Sequence, residues 1–313
     1  MMVSVKKSKF RKILIVISVV IFAFCAISMA VTKIVYDSIF ARYDEAPEIP
    51  PALETMVKER SVCQFPSGDN LLAGYYYGAP EPEQTCGLIV LVPGFHAGGD
   101  SYLWQISELR AYGWAVFTFD ATGTLQSQGA GQVGFPQVVA DLKAALEYVE
   151  KCDRFGYDEI VLMGHSRGAY AACCALKDAQ NVAAVVSVSG INSAMEAIMQ
   201  QSTNAVGPIS YGNYGFLWLY QAMLFGTEDL EMDASQVISS QNVPVLVIHG
   251  TEDSQIPLDT SSIYSHREKI TSSGVEYLLW EAGHTDLLFD ADGTANDALL
   301  AAIHEFLIRS VAS

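Results

Sequence analysis

The sequence predicts an α/β protein, a doubly wound and mostly parallel sheet with helices on both faces, and three observations carry that expectation. Apolar runs alternate with stretches of helical period from about residue 71 to residue 311. The later runs are apolar throughout, as strands covered on both faces must be. The segments between them are long enough for the crossover connections that parallel strands need.

Taken in order, the expected strands are Leu71–Tyr77, Gly87–Val92, Trp114–Asp120, Ile160–Gly164, Val182–Ser189, Val243–His249 and Val275–Trp280. The expected helices are Trp104–Tyr112, Pro136–Cys152, Gly168–Ala179, Ser261–Lys269 and Asp297–Val311. One insertion breaks the rhythm, at about residues 191–242, with Tyr211, Tyr214, Phe216, Trp218, Tyr220 and Phe225 inside it. A structureless loop of that length is unusual, so the insertion reads as a helical cap over the carboxyl edge of the sheet. Its aromatics either glue the cap to the body or line a pocket beneath it.

The chain ahead of the sheet has a different composition. Residues 1–12 hold five bases, Lys6, Lys7, Lys9, Arg11 and Lys12, and the following Ile13–Thr32 is an uncharged run of 20 residues. At ~1.5 Å of rise per residue such a run crosses ~30 Å of hydrocarbon, and the positive-inside rule puts the basic end in the cytoplasm and the body outside. The competing reading is a cleaved signal peptide, with Ser28-Met29-Ala30 as its small-residue cleavage site and the body secreted. Residues 33–58, with Pro47, Pro50 and Pro51, read as an extended stalk, and residues 59–313 as the folded domain.

Of the 313 residues 50% are hydrophobic and 17% charged, and mean hydropathy is +0.24, which excludes disordered and collagen-like classes. Net charge is −17, but residues 34–313 carry 12 bases against 35 acids, a net of −23. A body that acidic repels phosphate backbones, so no nucleic acid partner is expected. Cys63, Cys86, Cys152, Cys173 and Cys174 have neither zinc nor redox spacing, and a Cys63–Cys86 bridge is left open.

Chemistry should lie at the carboxyl ends of the strands. There Ile160–Met163 runs into Gly164-His165-Ser166-Arg167-Gly168 and an alanine-rich helix, placing Ser166 on a strand-to-helix turn flanked by glycines. A serine hydroxyl needs a base, and the base an orienting carboxylate. Asp253 follows the strand ending in His249-Gly250, and His284 follows the last strand in Glu281-Ala282-Gly283-His284. Glu252 and Asp259 rival Asp253, and His249 and His96 rival His284. Asp286 is a candidate to tune His284, and the side chains of His165 and Arg167 flank the serine.

The elbow 164–168, the His-Gly-Thr-Glu-Asp of 249–253 and the Gly283-His284 pair together resemble the α/β-hydrolase fold over about residues 60–312. The resemblance implies a catalytic triad of Ser166, His284 and Asp253. Pro93-Gly94-Phe95-His96 is similar to the family's oxyanion loop, with Pro where His is usual, which implies that the backbone N–H groups of Phe95 and Arg167 hold the oxyanion. Asp120–Gln128 is similar to a further family stretch but lacks its second glycine, and carries no site assignment. The resemblance implies a serine hydrolase cleaving carboxylic esters through an acyl-enzyme, with no cofactor or metal and a small acyl ester or peptide-like substrate. The cap looks like that of monoacylglycerol-lipase-like esterases and of serine aminopeptidases. An acyltransferase shares the same residues, and an inactive envelope-bound binding protein is the alternative from another class.

Overall fold

The structure, a computed structural model, describes residues 2–152 and 155–311, with side chains from Phe10 onward. Lys6, Lys7 and Lys9 of the expected basic tail lie outside the described side chains, and Ala312 and Ser313 outside the described residues. The chain begins with helix α1 (Met2–Ile39) and a short helix α2 (Glu54–Glu59). The strands are β1 (Ser61–Ser67), β2 (Asn70–Tyr77), β3 (Leu88–Val92), β4 (Ala115–Phe119), β5 (Ile160–His165), β6 (Val182–Val188), β7 (Val245–Gly250) and β8 (Val275–Trp280). Between them run α3 (Leu103–Ala111), α4 (Phe135–Lys151), α5 (Arg167–Ala175), α6 (Ala194–Val206), α7 (Tyr214–Leu230) and α8 (Ala234–Ser240), and α9 (Asp297–Val311) follows the last strand.

One sheet forms in the order β1-β2-β4-β3-β5-β6-β7-β8, antiparallel where β2 meets β1 and β4 and parallel elsewhere. Period-two alternation divides each central strand between two cores. Val90, Val92, Val245 and Val247 join one core with α4 and α5, while Ile89, Leu91, Leu246 and Ile248 join the other with α3 and α9. This two-sided burial is why the central runs show no polar face.

The sequence reading missed β1, whose residues alternate and include Pro66. Pro is tolerated there because β1 is an edge strand, where a ladder N–H is dispensable. The expected helix at 168–179 ends at Ala175, and that at 261–269 is a 3₁₀ turn over Tyr264–Lys269.

Residues 33–58 do not form a free stalk. Helix α1 continues through Ile39, and Tyr36 and Phe40 are buried against Leu217 and Tyr220 of α7 and Met195 and Met199 of α6. Each such side chain contributes about 1.5–3 kcal/mol when fully buried, enough to hold the segment down. Beyond it, Arg42 donates to the carbonyls of Leu125, Ser127 and Gly129, and isolated bridges tie Ala41 to Gly131 and Tyr43 to Thr124.

The insertion is helical, comprising α6, a 3₁₀ turn Gly207–Asn213, and α7, which kinks at Gly226. Helix α8 packs into the body instead, with Ala234, Val237 and Ile238 in the core that holds α5. No disulfide joins Cys63 to Cys86: the Cys86 thiol points to the carbonyl of Tyr112, and Cys63 lies beside Gly74.

Candidate active site

Ser166 sits between the end of β5 and the start of α5 with φ 56° and ψ −120°. A left-handed φ is strained for a residue with a Cβ, and tight surroundings enforce it here. The Ser166 N–H donates to the carbonyl of Val188 at 2.8 Å, tying the turn to β6. A Cβ on Gly164 would stand 2.2 Å from the carbonyl oxygen of Gly168, and one on Gly168 would stand 2.1 Å from that of Val92. Only glycine lets helix and strand cross this closely.

The carboxylate comes from the loop after β7 and the imidazole from the loop after β8. His284 Nδ1 lies 2.7 Å from Asp253 Oδ2, and Asp253 Oδ1 accepts the N–H groups of Gln255 at 2.9 Å and Ile256 at 2.8 Å. Burial alone would raise the Asp253 carboxyl, but the hydrogen bonds of His249 and His284 outweigh it and hold the group well below the usual carboxylate range. Asp253 is therefore an anion, and Nδ1 of His284 carries a proton toward it. His249 Nε2 is 3.3 Å from the same carboxylate oxygen, yet its shorter bond, 2.8 Å, is to the carbonyl of Ile256. His249 is thus a buried brace for the loop.

Of the sequence-derived rivals, Glu252, Asp259 and Asp286 are exposed. His96, also exposed, stacks on Phe95 at 4.0 Å and on Tyr43 at 4.8 Å between ring centroids. Among the described residues no hydrogen bond joins Ser166 Oγ to His284. Their neighbourhood is carried by His165, whose ring lies 5.0 Å from that of His284 and whose Nε2 donates to the His284 carbonyl at 3.0 Å. Ser189 Oγ donates to the same carbonyl at 3.1 Å.

His165 belongs to a relay that the motif does not announce. The Gly94 N–H donates to Tyr102 Oη at 2.9 Å, and Tyr102 Oη is 3.0 Å from His165 Nδ1. A carbonyl can only accept, so the His165 proton is on Nε2 and the Tyr102 hydroxyl donates to Nδ1. Burial pushes the His165 imidazole down to about 4, so it stays neutral and keeps that tautomer. The relay links the loop after β3 to the backbone of His284.

The expected oxyanion loop stands beside the elbow. Arg167 Nε donates to the Gly94 carbonyl at 3.0 Å, and its guanidinium lies 5.3 Å from the Phe95 ring centre. Arg167 is buried, with burial pushing its guanidinium down to about 10, and its two terminal nitrogens have no hydrogen-bond partner among the described residues. Neither the Phe95 nor the Arg167 backbone N–H donates to another protein group among the described residues. Beneath the loop, Asp120 accepts from the Gly99 N–H at 3.1 Å, the Tyr75 hydroxyl at 2.7 Å and the Gln126 N–H at 3.2 Å. The stretch 120–128, which carried no assignment, braces the loop from below.

Sequence reasoning also missed Tyr102 and Phe40, the latter edge-on to Phe95 at 5.5 Å. Nothing local in the sequence marks either, since both meet the site only through the fold. In the cap, Tyr211, Tyr214 and Trp218 help line a cavity of about 520 Å³ with Met195 and Met199, while Tyr220 and Phe216 pack against α1. The cap aromatics thus do both of the things expected of them, although Ser166 and His284 are not among that cavity's walls.

Comparison with known proteins agrees with this architecture. The family model for the alpha/beta hydrolase fold matches residues 87–208. A bis(hydroxyethyl) terephthalate hydrolase of Streptomyces coelicolor is 28% identical over 144 residues, 44% of this chain and 42% of that relative. The match therefore spans less than half of the relative's length. An esterase of Pyrococcus furiosus superposes with a TM-score of 0.66 at 17% identity, covering 87% of this chain and 99% of that one. An acylaminoacyl peptidase of Pyrococcus horikoshii superposes with a TM-score of 0.59 at 17% identity, covering 84% of this chain and 44% of the peptidase. With the strand order, the glycine-flanked elbow on β5 and the loops after β7 and β8, these likenesses show that the chain has the α/β-hydrolase fold.

Proposed function

We propose that the protein is a serine hydrolase that cleaves carboxylic esters through an acyl-enzyme. The observation that carries this reading is the buried Asp253–His284 pair, 2.7 Å apart, set beside the Ser166 elbow. In the proposed reaction His284 Nε2 takes the Ser166 hydroxyl proton as Oγ attacks the ester carbonyl, and Asp253 stabilises the imidazolium that forms. The Phe95 and Arg167 N–H groups receive the oxyanion, the alcohol leaves with the proton from His284, and water returns through the same base to release the acid. The ester-cleaving Streptomyces relative and the Pyrococcus esterase favour an ester over other acyl groups.

The peptidase neighbour supports a second reading, hydrolysis of a peptide-like amide at the same site. An acyltransferase would use an alcohol in place of water. A fluorophosphonate probe tests the serine chemistry: labelling of the folded wild type and its loss in Ser166→Ala is expected. A folded wild type that takes up no probe leaves the inactive binding protein as the reading. Acyl esters of graded chain length assayed beside aminoacyl amides decide between ester and amide.

We read α1 as a membrane anchor with its basic end in the cytoplasm and residues 59–313 outside. Within Phe10–Ile39 its most apolar 18-residue window has a mean hydropathy of 2.9 and is exposed. Protease added to intact cells should remove the body and leave a membrane-bound stub. Complete protection overturns the orientation, and a body released into the medium supports signal cleavage.

A further inference from the structure

We propose that the outer face of the cap is a bilayer-docking surface, seated in the same membrane that α1 crosses. The proposal rests on the reading of α1 as an anchor. Its first support is the charge pattern. Residues 197–227, between Glu196 and Glu228, are 31 residues without one Asp, Glu, Lys, Arg or His, in a body that otherwise carries a net charge of −23. At the chain's average of 17% charged, about five charges would be expected there.

The second support is exposure. Val206, Ile209 and Met223 are each more than 60% exposed, and Leu219 more than 40%. Large apolar side chains exposed within one uncharged segment of a charged body mark a binding surface for protein or lipid.

Continuity with α1 names the occupant. The first turn of α7 meets α1 within its apolar run, with Phe216 6.2 Å from Phe24 between ring centres and Asn213 Nδ2 3.0 Å from Thr32 Oγ1. One turn later, Tyr220 meets the first charges after the run, accepting from Lys33 at 3.3 Å and donating to Asp37 at 2.6 Å. From Ile13 to Thr32 the helix rises ~30 Å, the thickness of the hydrocarbon layer. A layer that ended at Phe24 would leave 12 residues, ~18 Å, which is too thin. The hydrocarbon must therefore reach the level of Asn213 and Phe216, and the uncharged turn that precedes them lies against lipid. Tyr220 beside the Lys33–Asp37 pair then stands at the headgroup level, where tyrosine is favoured. The acidic remainder of the body stays clear of the surface.

The test uses the full chain in phosphatidylcholine vesicles, with a photoreactive amino acid placed singly at Phe22 in the span, at Ile209 on the cap, or at Glu83, exposed at the opposite, amino edge of the sheet. Lipid adducts at Phe22 and Ile209 with none at Glu83 are expected. Adducts at Phe22 but not at Ile209, or a protein adduct at Ile209, overturn the docking surface while leaving the anchor. Absence of lipid adducts at Phe22 removes the anchor reading, and the docking surface with it. As a second measurement, Val206→Glu with Ile209→Glu should slow hydrolysis of a vesicle-borne ester about tenfold and leave a short water-soluble ester within about twofold. Equal rates for wild type and variant on the vesicle-borne ester also overturn the proposal.

Discussion

Replacing Asp253 with Asn tests the site most directly, because it changes one atom of a group whose every partner is defined. In the wild type Oδ1 accepts two backbone N–H groups and Oδ2 accepts from His284 at 2.7 Å. Those N–H groups can be satisfied only by an oxygen, so the Asn carbonyl must occupy the Oδ1 position. Its NH2 then points at Nδ1 of His284. To avoid two opposed donors His284 must move its proton to Nε2, the atom that should accept from Ser166. The wrong tautomer, together with the lost carboxylate charge, should lower kcat about ten-thousand-fold, or about 5 kcal/mol of transition-state stabilisation. KM should change little, since the carboxylate touches no substrate. Steady-state hydrolysis of a chromogenic ester reads the rate, and circular dichroism confirms that the variant is folded. Glu252→Gln and Asp259→Asn, at exposed positions, should be silent. A folded Asp253→Asn enzyme within tenfold of wild type would refute the orienting role.

Three further outcomes follow from the same geometry. Ser166→Ala should lose activity and probe labelling while melting within a few degrees of wild type, because the hydroxyl has no hydrogen bond that supports the fold among the described residues. Gly168→Ala places a methyl 2.1 Å from the Val92 carbonyl and should cost about 3 kcal/mol or more, read as a fall in Tm with loss of activity. His165, neutral when folded, is held below the usual histidine value by burial, so the unfolded chain binds its proton first as pH falls. Its contribution is intact above about pH 6.5 and declines toward pH 4, by about 3 kcal/mol in total. Denaturant titrations from pH 7 to 4 should therefore show a steeper loss for wild type than for His165→Gln, and parallel curves would remove this account.

The central strands were legible because a strand covered on both faces must be apolar at every position, and Ile160–Met163 or Val245–Ile248 have no other reading. Ser166 and Asp253 could be singled out because each follows such a strand at the carboxyl edge, whereas His284 follows the edge strand β8, which carries Glu276 and is only partly covered. Strand β1 was not, since an edge strand needs only one buried face and tolerates Pro66. Nor was the fate of residues 33–58, whose prolines speak for an extended chain while Tyr36 and Phe40 find their burial only against the cap.

By itself the sequence determined the sheet, the elbow and the presence of a long apolar helix, because strand period, glycine spacing and uncharged length are local properties. Tertiary structure alone decided which of several acids meets the histidine, that Tyr102 and His165 tie the loop after β3 to His284, and that α1 packs against the cap. Those facts depend on which atoms are brought together from residues far apart in the chain, and short-range pattern carries no distance between them.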